Sequence, residues 1–329
     1  EVVKALGCNV LDLQPNGGKA KALSRTIHEN GLLDKYKAIY LVDADIKVGD
    51  GSMKWMAAQF DDPAVAAVVN RTNPLWPKHY LPRYRYFFTA YRMRLWLILR
   101  YSLRYGQTWK YMNVSPIIPG GGSMYRSAAM KQIKIDVPGL IIEDFNMTFC
   151  VHHQRLGRIS FLPGGPYNVD QEPFSLRDYV KQIYRWYLGF FQTVRHHGPW
   201  VGWFFFSMLS FNLEMIVSSV FFLLAPILLV ASAITGHQFQ LGFSLDDPTS
   251  TILTIVGTFL LFDYLVTVIV AIFKRRPLLL FYGFFFPLLR YVESTVFIYA
   301  LIIGIFTRPT KDGRWVSPKR VAYTAKSRA

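Results

Sequence analysis

The sequence predicts an α/β catalytic domain with a mainly parallel sheet, followed by a helical membrane region. Three observations predict it. Short continuous apolar runs at 38–42 and 65–69 alternate with segments of helical spacing, the pattern of buried parallel strands joined by helices. The 329-residue chain is 52% hydrophobic with a mean hydropathy of +0.20, too apolar for an ordinary soluble protein. That apolar content is uneven, because Phe, Leu, Ile and Val crowd the part after Trp200.

Taken in order, residues 8–13 form a short apolar run expected as a strand, and Asn16-Gly-Gly-Lys19 is a turn signal. Residues 19–29 have helical spacing through Ala22, Leu23 and Ile27. The strand at 38–42 stops at Asp43-Ala-Asp45, a helix is expected over 53–60, and a strand over 65–69. Ligands of such sheets sit beyond the carboxyl ends of the strands, which is where Asp43 and Asp45 fall. Residues 84–105 form a long helical candidate dense in aromatics and arginine, expected to lie on the membrane or be packed beneath it, against the alternative of a core helix with snorkelling arginines. Residues 115–126 are glycine-rich without the spacing of a phosphate loop, so Gly121 and Gly122 read as places of close backbone approach to a ligand. Asp144 opens a helix over 145–156, a strand follows at 158–162, and 174–197 is a long aromatic-rich helix.

Residues 204–234 and 252–273 are long enough to span a bilayer. The 236–250 loop between them has no Lys or Arg, whereas Lys274-Arg-Arg276 follows the second span. The positive-inside rule then places the catalytic domain and Lys274–Arg276 in the cytoplasm. The third apolar stretch, 278–306, is broken by Pro287, Arg290 and Glu293 and reads as an interfacial or re-entrant piece plus a tilted helix. The expected domains are therefore 1–173 catalytic, 174–200 an interfacial helix, 201–308 transmembrane and interfacial helices, and 309–329 a basic cytosolic tail of an inner-membrane protein. Glu214 and Asp263 lie inside the spans, and one of them is expected to face a channel or a helix partner.

The formal net charge of +16 suits an anionic leaflet or phosphorylated substrates. No cluster of Lys and Arg interleaved with stacking aromatics marks a nucleic-acid module, so nucleic acid is excluded as a partner. Cys8 and Cys150 lie far apart and read as reduced core thiols. The adjacent pairs His152-His153 and His196-His197 point in different directions on a helix and do not suggest a shared metal.

Three constellations have chemistry in them. Asp43 and Asp45 offer hard oxygen ligands for a divalent cation bridging phosphates, against the alternative of a solvated turn. Glu143-Asp144 offers a general base, against that of a helix cap with favourable dipole. Gln182, Arg185 and Trp186 share one helix face, with a ring platform for a sugar and a guanidinium for phosphate, against that of an amphipathic helix with a buried Trp.

In their order and spacing, Asn16-Gly-Gly-Lys-Ala-Lys-Ala-Leu, Asp43-Ala-Asp45, Pro119-Gly-Gly-Gly-Ser-Met-Tyr-Arg126, Ile142-Glu-Asp144 and Gln182-Ile-Tyr-Arg-Trp186 resemble the successive motifs of membrane-bound family 2 glycosyltransferases. That group includes the cellulose, chitin, hyaluronan and poly-N-acetylglucosamine synthases. The resemblance spans residues 8 to 200. It implies a GT-A-like (Rossmann-like) fold, a UDP-sugar donor, Mg2+ or Mn2+, and inverting synthesis of a β-linked polysaccharide, with a lipid acceptor or a non-catalytic scaffold or transporter as alternatives. It casts Asp45 and Asp43 as metal and donor residues, and Asp144 as the base. Lys19, Gln182, Arg185 and Trp186 would bind the donor, with Gly121, Gly122, Ser123, Glu143 and Trp186 at the acceptor. Two features depart from the pattern. The family's first strand and uracil-contacting Asp would precede Glu1, and Ile142 stands where Thr is usual.

Overall fold

The computed structural model describes residues 7–15, 17–76, 86–95, 103–235 and 248–307. Helices α1 (Lys19–Glu29) and α2 (Leu32–Lys35) lead into strand β1 (Ala38–Leu41). Helix α3 (Ser52–Ala57) continues as a 3-10 turn, Ala58–Asp61, and is followed by β2 (Val65–Val69) and β3 (Thr72–Pro74). Helices α4 (Tyr86–Leu95) and α5 (Arg104–Gln107) precede a small hairpin, β4 (Thr108–Trp109) and β5 (Met112–Asn113). Then come β6 (Ser123–Arg126), α6 (Ser127–Met130), α7 (Glu143–His153), β7 (Arg158–Ser160) and β8 (Asn168–Asp170). The membrane-side part holds α8 (Leu176–His197), α9 (Trp203–Thr235), α10 (Pro248–Lys274), α11 (Leu278–Gly283) and α12 (Phe286–Phe306).

The main sheet has the order β1-β6-β2-β7. β2 and β7 are parallel, whereas β6 lies antiparallel between β1 and β2. Three strands thus share one direction and the sheet is mixed, because β6 returns the chain between two parallel neighbours. All five residues of β2 are buried, as its continuous apolar run requires. The core beneath the sheet joins Ile27, Leu33, Val69, Ile118, Tyr125 and Met147.

Residues 8–13 form no strand. They are irregular and, apart from Leu13, exposed. Cys8 is correspondingly exposed rather than a core thiol, while Cys150 is buried. Helix α4 does not lie on a membrane surface: Tyr86, Phe88 and Tyr91 belong to a core with Tyr179, Val270, Leu279 and Phe286, and Arg92 and Arg94 are buried with them. Residues 84–85 and 96–102 of that candidate helix, most of the 236–250 loop and the 309–329 tail lie outside the described residues, as does Asn16.

Among the described residues, three helices are long and apolar enough to cross a membrane: Trp203–Ala231, Leu253–Lys274 and Phe286–Phe306. The 278–306 stretch resolves into short α11 and long α12, joined at Phe284-Phe285. Several charged groups between these helices are paired with one another, as a low-dielectric setting favours. Arg94 makes a two-pronged ion pair with Asp263, and Arg290 joins it at 2.8 Å. Glu293 accepts hydrogen bonds from the Tyr91 and Tyr179 hydroxyls. Asp263 therefore faces helix partners, and it also lines a cavity together with Glu214.

Candidate active site

Three chain turns meet at the carboxyl end of β1. The first holds Asp43 and Asp45 in a turn closed by Ile46 N–H donating to the Asp43 carbonyl at 3.1 Å. The second is the glycine run, held beside β1 by Gly122 N–H donating to the Leu41 carbonyl at 2.8 Å. The third is the start of α7, where Glu143 and Asp144 occupy the first turn and suit the helix dipole. Gly120 N–H donates to Asp144 Oδ2 at 2.8 Å.

The glycines serve this convergence. A Cβ on Gly120 would stand 2.2 Å from Asp144 Oδ1, and one on Gly121 would stand 3.0 Å from Asp43 Oδ2. Gly122 has φ +98, and a Cβ there would meet Asn168 Nδ2 at 2.2 Å. The close approach expected toward a ligand is thus made first toward the protein's own acids.

Lys19 opens α1, where a cation is disfavoured by the helix dipole, so something else must hold it. Its Nζ lies 2.8 Å from Asp43 Oδ1, 2.8 Å from Glu143 Oε1 and 4.0 Å from Asp144 Oδ1. Burial works against the ammonium, but the three carboxylates outweigh it and keep Lys19 above the ordinary lysine range. Burial and then the neighbouring Glu143 push the Asp144 carboxyl up to about 8. Burial opposes the charge on Glu143 too, yet the Lys19 ion pair brings its carboxyl below the ordinary range.

Ser175 caps α8 by accepting from Asp178 N–H at 3.1 Å. The helix then presents Gln182, Arg185 and Trp186 to a cavity of about 830 Å3. The same cavity is lined by Lys19, Asp43, Asp45, Gly120, Gly121, Glu143 and Asp144. The structure therefore brings together every predicted site residue except Gly122 and Ser123. Ser123 is fully buried, in register with Leu41 on one side and Val69 on the other, and its hydroxyl donates to the Pro119 carbonyl at 2.5 Å. It sits inside the sheet and cannot touch an acceptor.

Residues not expected at the site also line the cavity: Arg92, Arg94, Arg104, Arg290 and Glu293. Arg92 stacks on Trp186, its guanidinium 4.6 Å from the ring centroid, with Glu172 at 3.5 Å. The signal was visible as arginines recurring in an aromatic run, but nothing local showed that they face inward. Among the described residues no three His, Cys, Asp or Glu side chains are grouped to hold a metal by themselves.

Among solved structures, the mannosyltransferase PcManGT from Pyrobaculum calidifontis, in complex with GDP-Man and Mn2+, has a similar fold. The TM-score is 0.51 at 15% identity, covering 91% of this chain and 69% of that one. No curated protein sequence matches the chain. The sequence model described as glycosyl transferase family group 2 matches residues 38–307, from β1 through the last described helix, and the chain belongs to that family.

Proposed function

We propose that the protein transfers a sugar from a UDP-sugar, with inversion, to a hydroxyl of an acceptor that enters from the membrane side. The observation behind this reading is the single cavity in which Asp144 faces Asp43, Asp45, Gln182, Arg185 and Trp186. In the reaction the acceptor hydroxyl gives its proton to Asp144. Its oxygen forms the new bond to the anomeric carbon, and the bond from that carbon to the diphosphate breaks, the leaving UDP taking the electron pair. One base and one displacement give a β-linked product from an α-linked donor. Arg185 offers a clamp for phosphate oxygens and Trp186 a platform for a sugar ring.

A divalent cation fits this donor set. Asp43 and Asp45 supply two hard oxygen ligands, and Mg2+ or Mn2+ is commonly held by one or two carboxylates plus substrate phosphates rather than by a complete protein cage. The presence of Mn2+ and GDP-Man in the PcManGT complex agrees with this. When bound, such an ion neutralises charge on the diphosphate.

The cavity favours a lipid acceptor. Beyond Trp186 its walls come from α9 and α10, including Phe222 and Phe259. Phe262 of α10 lines it too and is exposed, so the open cavity offers an apolar wall to an acceptor. Processive polysaccharide synthesis is a second reading, favoured by the Gln182, Arg185 and Trp186 set that resembles such synthases. The chain is then an inner-membrane protein with its catalytic domain in the cytoplasm.

Incubating the purified chain with UDP-glucose, UDP-N-acetylglucosamine, UDP-glucuronate or GDP-mannose and membrane lipid tests the reading. Donor-dependent labelling of the lipid phase is expected, and Asp144→Asn abolishes it. A long water-soluble polymer would favour the second reading. Turnover of no donor, or full activity of Asp144→Asn, would sink both.

A further inference from the structure

We infer that Arg104 receives a phosphate group carried by the acceptor lipid, at a site separate from the one that takes the donor's diphosphate. Arg104 is only 5% exposed and lines the cavity. The two other buried arginines of the cavity wall have carboxylates: Arg92 has Glu172 and Arg94 has Asp263, which the half-buried Arg290 shares. Arg104 has no carboxylate within ion-pair distance among the described residues, and residues 77–85 and 96–103, which flank it in sequence, contain no Asp or Glu. An uncompensated buried cation is costly. Burial pulls Arg104 down to about 10, which leaves it charged at neutral pH. Spare donors also occur beside Trp186. Arg92 is buried in the same cavity wall, and its Nε and Nη2 have no hydrogen-bond acceptor. Among the described residues the cavity thus presents spare N–H donors and a guanidinium without a carboxylate, the chemistry that selects phosphate, which a guanidinium can grip with two parallel bonds.

Topology separates this end from the donor end. Helix α5 packs on β4 and β5, β4 lies along β7, and β5 contacts α9. β7 is the sheet edge opposite β1, which leads to Asp43 and Asp45. Three strand spacings, roughly 14 Å, separate those edges. Arg104 thus belongs beside the first membrane helix. A lipid whose headgroup has both a phosphate and a hydroxyl can place the phosphate there and the hydroxyl toward Asp144. Calling the ligand an acceptor rests on the transferase reading above, whereas its binding does not.

The test measures binding to the whole chain in a phosphate-free detergent, without turnover. Dioctanoyl phosphatidylglycerol supplies phosphate and hydroxyl on a lipid, dioctanoylglycerol lacks the phosphate, and glycerol 3-phosphate lacks the lipid. Phosphatidylglycerol should bind best. Arg104→Gln should weaken it at least tenfold and Arg104→Lys by less, with dioctanoylglycerol unaffected and UDP affinity unchanged. Unaltered phosphatidylglycerol affinity in Arg104→Gln overturns the inference, as does a parallel loss of UDP affinity. Glycerol 3-phosphate binding as tightly as the lipid overturns the lipid source. Should Arg104→Gln not fold, Arg104→Lys decides: weakened phosphatidylglycerol binding with normal UDP binding supports the site, and unchanged binding refutes it. Arg104-dependent lipid binding in a protein that turns over no nucleotide sugar would uphold the site and sink the proposed function.

Discussion

Replacing Gly120 by Ala probes the base directly without touching it. The new Cβ would stand 2.2 Å from Asp144 Oδ1 and 2.7 Å from Lys19 Nζ, separations that real atoms do not adopt. Gly120 has no left-handed φ, so alanine fits its backbone and the strain falls on the two side chains. The carboxyl must retreat by about 1 Å, loosening the Gly120 N–H bond that aims it. A misplacement of about 1 Å in a reacting group costs about 100-fold in rate, or about 2.7 kcal/mol of barrier. The expected result is a kcat near 1% of wild type, with a melting temperature within a few degrees and unchanged nucleotide affinity. Gly257→Ala is the control, since a Cβ there meets nothing within 4 Å. Initial rates of donor consumption and thermal unfolding in detergent give both quantities. A Gly120→Ala protein with wild-type kcat would refute the idea that Asp144, held in this position, takes the acceptor proton.

If Asp144 is the base proposed above, with burial and then Glu143 pushing its carboxyl up to about 8, kcat/KM should rise with pH through that region and level off above it. Glu143→Gln removes a charge that raises Asp144, so the rise should move to lower pH; a shift the other way would contradict the pairing. Chelating divalent ions with EDTA should stop turnover, and Mg2+ or Mn2+ should restore it, while metal-independent turnover would remove Asp43 and Asp45 from that role. Asp263→Asn leaves Arg94 and Arg290 without their shared buried carboxylate and should cost about 3–5 kcal/mol of stability. Thermal unfolding checks this, and an unchanged melting temperature would mean that the ion pairs are not structural.

Most of the site was legible because its members sit at places where chain pattern changes abruptly. Asp43 and Asp45 end a buried strand, Glu143 and Asp144 start a helix, and Gln182, Arg185 and Trp186 follow a three-four spacing that the helix turns to one side. What stayed hidden depends on partners far away in sequence. Arg94 looks like a membrane-surface arginine until Asp263, 169 residues later, is found against it. Ser123 sits in the glycine-rich motif and looks accessible, yet strand pairing places it between Leu41 and Val69. The run at 8–13 has a strand's composition and forms none, since composition supplies no pairing partner. The return strand β6 was invisible for the same reason, and with it the mixed character of the sheet.

The substitution of Ile142 for the usual Thr gains a physical reason from the packing of α8. A Cβ on Gly189 would lie 2.7 Å from Ile142 Cγ1, so α8 rests directly on the residue before Glu143 and Asp144. On its other side α8 packs along α12, where a Cβ on Gly304 would lie 2.6 Å from the Phe191 Cβ. Interiors packed this closely transmit displacement rather than absorb it. One helix, bearing Arg185 and Trp186, is therefore pressed between the start of the catalytic helix and a candidate membrane span. Glu293 on that span also holds Tyr179, one turn before Gln182. The position of Trp186 relative to Asp144 is thus set by the helices that follow the α/β part. A catalytic domain cut before α8 would keep both acid pairs and Lys19 while losing the surface against which a sugar could be held.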